Sequence, residues 1–125
     1  MKVVIVGCGK VGKTIAEELV KENHDIILID ENAELVEDVS NSLDIIGVVG
    51  NGASLNILKE AGIETADVLI AVTSADEINM LCCLFAKKAN KDLKTIARVR
   101  NPIYSSELSY IKDELGLTMT INPEM

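Results

Sequence analysis

Aromatic side chains make up only 2% of this chain, and tryptophan is absent. Its core must therefore be packed from Val, Ile, Leu and Ala, the residues of short parallel strands buried on both faces. Basic residues are also scarce: 12 Lys and Arg stand against 20 Asp and Glu, a formal charge of −8. That sign excludes nucleic-acid binding by bulk electrostatics and docking on anionic lipid. Cysteine is limited to Cys8, Cys82 and Cys83, an odd number without metal-ligand spacing. Neither a disulfide framework nor a metal site is expected, which fits a reducing, cytoplasmic setting. No apolar run approaches the ~18 residues of a membrane span. Any membrane role would run through a partner. Met1 leads straight into a strand, so no signal peptide is expected.

What the chain does have is a phosphate-binding signature in the right context. Residues 2–12 read KVVIVGCGKVG: a short apolar strand, then Gly7-x-Gly9-x-x-Gly12, then at once a helical pattern. The next apolar run, IILID, closes on Asp30. A glycine triplet alone recurs by chance. Strand before, helix after and a carboxylate at the tip of the second strand together specify a dinucleotide-binding unit.

The rest of the chain alternates strand and helix. Strands are expected at Val3 to Val6, Ile26 to Ile29, Ile45 to Val49, Val68 to Val72, Thr95 to Val99 and Leu117 to Ile121. Helical stripes lie between them. They comprise Val11, Ile15, Leu19 and Val20, then Leu35, Val36, Val39 and Leu43, then a short helix from Leu55 to Ala61. Ile78, Leu81, Cys82, Phe85 and Ala89 follow, then Tyr104, Leu108, Ile111 and Leu115. Asn32 and Ser54 are expected N-caps, and Gly62 and Gly116 expected stops. The fold class is α/β: one Rossmann-type, doubly wound, six-stranded parallel sheet of order 3-2-1-4-5-6, filling residues 1–125 as one domain.

In such a sheet the ligand sits at the carboxyl ends of the strands, where the strand order reverses. Gly7 allows the tight turn, Gly9 lets backbone approach a pyrophosphate, and Gly12 brings helix against strand. Lys10 is placed in the loop as a possible phosphate contact. Cys8 is a small filler whose helix N-terminal position could lower its pKa. Asp30 is expected to accept from the adenosine ribose hydroxyls, and with Glu31 to repel a 2′-phosphate, favouring NAD over NADP. Gly50, Asn51 and Gly52 are expected to turn beneath the adenine. Thr73 and Ser74 end strand four beside the cofactor and could equally cap the next helix. Arg98, a charge within an apolar run, is assigned a phosphate or ligand contact in preference to an internal salt bridge. No catalytic residue is assigned.

From Gly50 onward the residues GNGASLNILKEAGIETADVLIAVTSADEINMLCCLFAKK, followed by TIARVRNP, resemble the N-terminal domain of potassium-conductance regulators. These RCK, or KTN, domains occur in TrkA-type potassium uptake proteins and in the gating rings of potassium channels. The resemblance implies a cytoplasmic regulatory subunit that binds NAD+ or NADH, or ATP/ADP in some members. It implies dimers or rings beneath a membrane potassium transporter. By motif, the nucleotide residues would be Gly7, Gly9, Lys10, Val11, Gly12, Asp30, Asn51, Thr73 and Arg98. Gly50-Asn51-Gly52-Ala53 departs from the Gly-Asp-Ala of many relatives. Full-length members add a smaller ligand-sensing domain, so this chain is expected to be the nucleotide domain alone.

Two other readings compete. The coenzyme domain of an NAD-dependent dehydrogenase would need a general acid or base, and His24 precedes the second strand at the opposite edge. An S-adenosylmethionine-dependent methyltransferase would not need a loop built for a phosphate.

Overall fold

Branched aliphatic runs separated by capped helices leave few topologies open, because parallel crossovers are short and right-handed. The computed structural model describes residues 1–121, so the last four residues of the 1–125 range lie outside the described residues. The strands are β1 (Lys2–Val6), β2 (Asp25–Asp30), β3 (Ile46–Val49), β4 (Val68–Ala71), β5 (Lys94–Arg98) and β6 (Met119–Ile121). Between them run α1 (Lys10–Lys21), α2 (Ala33–Leu43), α3 (Leu55–Glu60), α4 (Asp76–Ala89) and α5 (Pro102–Leu115). All strands pair in parallel, in the order β3-β2-β1-β4-β5-β6. This is the expected Rossmann-type sheet.

Alternation along β1 divides the core. Val3 and Ile5 join Ile26 and Leu28 beneath Ala16 of α1 and Val36 and Val39 of α2. Val4 and Val6 join Ile27 and Ile29 on the other face, under Leu58 of α3 and Cys82, Cys83 and Ala86 of α4. Both faces of the central strands are thus dry, which explains their unbroken apolar runs.

The sequence reading needs correction at the periphery. β3 begins at Ile46 rather than Ile45; at the edge where the predicted order puts it, Ile46 is 65% and Val49 49% exposed. β6 begins at Met119 rather than Leu117. A 3-10 turn at Ile63–Thr65 was not anticipated. In α4 the inward face carries Asn79, Cys82, Cys83 and Ala86, while Leu81 points outward. The caps follow expectation at Asn32, which accepts from the Leu35 amide, and at Ser54, which accepts from Ile57. Gly62 and Gly116 both take left-handed conformations at helix ends. Neither Thr73 nor Ser74 caps α4: its N-cap is Ala75, with no side-chain capping bond.

Register sets the position of the site. Val6 is level with Ile29 on one side and with Ala71 on the other, so β1, β2 and β4 end side by side. The order reverses between β1 and β4, and the glycine loop leaves the sheet there.

A candidate nucleotide cleft

Each glycine of the loop has a different physical reason. Gly7 has φ +116°, a conformation side chains rarely adopt, and a Cβ there would press on the Val72 and Thr73 backbone. Gly12 lies so near the Gly7 carbonyl oxygen that a Cβ would collide with it. Gly9 is different. Its φ of −69° and ψ of −170° suit any residue, and a Cβ built on it meets nothing within 4 Å. Neither backbone nor packing requires a glycine at this position, and it lines the cleft.

That cleft encloses about 490 Å³, within the range of small-molecule sites. It is continuous across the switch point. Asp30, Glu31 and Leu35 lie at its β2 end, Gly7, Gly9 and Lys10 in the middle, and Thr73, Ser74 and Arg98 at its β4–β5 end. Val11, Gly50, Asn51 and Gly52 also line it. Lys10 is the first residue of α1 rather than part of the loop, and is exposed beside the N-terminal amides of the helix. Cys8 and Gly12 are buried behind the loop.

Asp30 builds the loop as well as lining the cleft. Its Oδ2 accepts from the Cys8 amide at 2.8 Å, and its Oδ1 from the Asn32 amide at 2.9 Å. A carboxylate offers about four lone-pair sites, so two backbone bonds leave capacity for a ligand's hydroxyls. Asp30 does not cap the following helix; Asn32 is the cap, as expected.

The Gly50–Gly52 turn is packed from below. A Cβ on Gly50 would strike Ile57, and one on Gly52 would strike Val6. Asn51 Oδ1 accepts from the Ala53 amide at 2.8 Å, a bond an aspartate would make equally well. Its amide N–H groups are its remaining capacity toward a ligand.

Arg98, 9% exposed, donates from Nη2 to the Thr73 carbonyl at 2.6 Å while also lining the cleft. Sequence reading missed the residue beneath it. Asn79 is fully buried; its Oδ1 accepts from the Thr73 amide at 2.9 Å and the Thr73 hydroxyl at 2.7 Å. Its Nδ2 donates to the carbonyls of Thr73 at 3.1 Å and Arg98 at 2.8 Å. Asp76, buried nearby, accepts from the amides of Arg100 and Asn101. The available signal was the position of Asn79 on the inward face of α4, four residues before Cys83.

Burial pushes the thiols of Cys8, Cys82 and Cys83 up to about 12. For Cys8 the Asp30 carboxylate adds to the effect, in keeping with a buried filler rather than an activated thiol. Iodoacetamide at pH 8 should leave all three unmodified in the folded protein and label all three in urea, counted by intact mass. Rapid labelling of Cys8 in the native state would contradict this picture.

A glycine-loop cleft at the switch point of a doubly wound parallel sheet defines a Rossmann-type nucleotide-binding domain. The TrkA-N domain model matches residues 3–123, and the chain belongs to that family. The Trk system potassium uptake protein TrkA of Halomonas elongata is 39% identical over 125 residues, which is 99% of this chain and 27% of that protein. The chain thus spans roughly a quarter of that relative. The TrkA-N domain of the inner membrane protein ybaL from Escherichia coli superposes with a TM-score of 0.86 at 25% identity, covering 98% of this chain and 87% of that one. A GsuK channel bound to NAD superposes at 0.81 with 19% identity over 96% of this chain and 21% of its own, a likeness of fold.

Proposed function

We propose that the cleft binds an adenine dinucleotide, NAD+ or NADH, and that the bound nucleotide sets the state of a regulatory domain for potassium uptake. The observation that carries the nucleotide reading is the bare side of Gly9. A position that needs glycine neither for its backbone nor for packing is explained by a ligand pressed against it. The α1 amides beside it suit a diphosphate, whose charge gains about 0.3–1 kcal/mol from the helix N-terminus, up to ~2 when partly buried. The reach of the cleft from Asp30 to Arg98 supports a dinucleotide over a shorter ligand. Asp30 and Glu31 favour a free 2′-hydroxyl, hence NAD over NADP. ATP and ADP are the alternative ligands.

The potassium reading rests on the family: the Halomonas relative is named for potassium uptake, and the GsuK structure holds NAD. In this reading the domain is cytoplasmic and homo-oligomeric, and works on a membrane potassium transporter subunit. Among the described residues no helix is long and apolar enough to cross a membrane. The role is regulation rather than catalysis. His24 bonds the N-terminal amine and faces Glu22 at the start of β2. By strand rise that is roughly 20 Å from the cleft. Tyr104 and Leu108 pack on the core, whereas Ile103 and Tyr110 of α5 are 64% and 80% exposed. Transmission to a partner is therefore assigned to the outer face of α5, at Ile103 and Tyr110.

A nucleotide shifts an assembly only through differential affinity for its states, and a coupling of about 1–3 kcal/mol suffices. Calorimetry with NAD+, NADH, ATP and ADP tests the ligand, and sedimentation with and without nucleotide tests the switch. The tightest binding is expected for an NAD form, with a nucleotide-dependent change in assembly. Absence of binding by all four would overturn the reading.

A further inference from the structure

We infer that Asn79 is a positioning residue for the nucleotide cleft: it fixes the β4–β5 wall against which a ligand would rest, without touching the ligand. This rests on the nucleotide reading above. Asn79 is completely buried and lies outside the cleft lining, so any effect on binding must pass through its partners.

A carboxamide offers two acceptor sites and two donors, and all four are used. The oxygen takes the amide and hydroxyl of Thr73; the nitrogen reaches the carbonyls of Thr73 and Arg98. One side chain therefore ties the turn after β4 to the last residue of β5, 25 positions further along the chain. The Thr73 carbonyl in turn receives the Arg98 guanidinium at 2.6 Å. Both ends of the Arg98 residue, its carbonyl and its guanidinium, are thus referenced to Asn79 or to an atom Asn79 holds. Thr73 and Arg98 line the cleft. No other standard side chain of this size presents two donors and a two-fold acceptor in one plane. Leucine of similar volume would orphan buried backbone groups at Thr73 and Arg98. Aspartate would set a carboxylate oxygen against two carbonyls.

Asn79→Asp separates positioning from bulk, because the shape is kept while both donors are lost. Asn79→Ser, which retains a small hydroxyl, serves as a second variant should the aspartate fail to fold. Melting curves establish the folded fraction, and NAD+ titrations by calorimetry are run well below each midpoint. NAD+ affinity is expected to fall about tenfold or more in whichever variant folds. The distinguishing readout is a double-mutant cycle with Arg98→Lys. That change should weaken NAD+ binding in the parent yet have little further effect once Asn79 is replaced. Asp30→Asn, at the opposite end of the cleft, should weaken binding by the same factor in both backgrounds. Unchanged affinity in a folded Asn79 variant, or full additivity with Arg98→Lys, would overturn the inference. Absence of NAD+ binding by the parent would instead overturn the nucleotide reading, and this inference with it.

Discussion

Gly9→Asp is expected to keep the fold at least as stable as the parent while weakening NAD binding about a hundredfold or more. The substitution suits the local structure. Gly9 is the N-cap of α1 in an extended conformation, and aspartate is among the best residues for that position. An acid at a helix N-terminus is itself favourable, so stability should hold or rise by about 1 kcal/mol. Beyond its own chain neighbours, no atom lies within 4 Å of the new Cβ. In the cleft the effect reverses. The carboxylate competes for the amides offered to a diphosphate and repels its charge. Losing one charge-assisted hydrogen bond costs about 1.5–3 kcal/mol, and the repulsion adds to it. A total near 3 kcal/mol corresponds to about a hundredfold in affinity. Gly12→Ala supplies the opposite case: its Cβ would collide with the Gly7 carbonyl, and about 1–3 kcal/mol of stability should be lost before binding is considered. Thermal melts and NAD titrations on the two variants separate a glycine kept for the ligand from one kept for the fold. A Gly9→Asp protein that still binds NAD at the parent affinity would contradict the placement of the phosphates.

Asp30→Ala is expected to fail on both counts. Its two oxygens hold the Cys8 and Asn32 amides, so removing them should cost about 1–3 kcal/mol of stability, read as a lowered urea midpoint. NAD affinity should fall at least about tenfold, because the carboxylate is the proposed sugar contact and also shapes the glycine loop. Asp30→Asn keeps one acceptor oxygen and should lie between parent and alanine in both measurements. Loss of stability without loss of affinity would reduce Asp30 to a brace for the loop.

Much of this was legible in the sequence because the signals were local. The apolar runs with their glycine and asparagine punctuation gave the six strands, and the unbroken run of β1 into Gly7 placed the loop. The place of Asp30 at the cleft was legible for the same reason, since it ends an apolar strand beside the glycine loop. The parts that escaped depend on contacts across the chain. Asn79 interrupts the apolar stripe of α4, and from sequence alone it reads as a gap. Only the fold shows that the gap faces Thr73 and Arg98. Asp76 reads as a helix-start acid, yet its bonds go to the amides of Arg100 and Asn101, 24 and 25 residues away. The edge position of β3 followed from the predicted strand order, but its exposure could not be read from its residues, because Ile46 and Val49 look as apolar as any central strand. Arg98 stood out as a charge in a strand, but its bond to the Thr73 carbonyl could not be read from spacing.

The most direct test of the account is to follow backbone amide resonances of the isotope-labelled protein while NAD+ is added. The predicted result is saturable shifts concentrated at Gly7 to Val11, Glu31, Asn51 and Thr73 to Ala75, with the amides around Lys2 and His24 unmoved. Shifts centred on that opposite end of the sheet, or no saturable change at any amide, would contradict it.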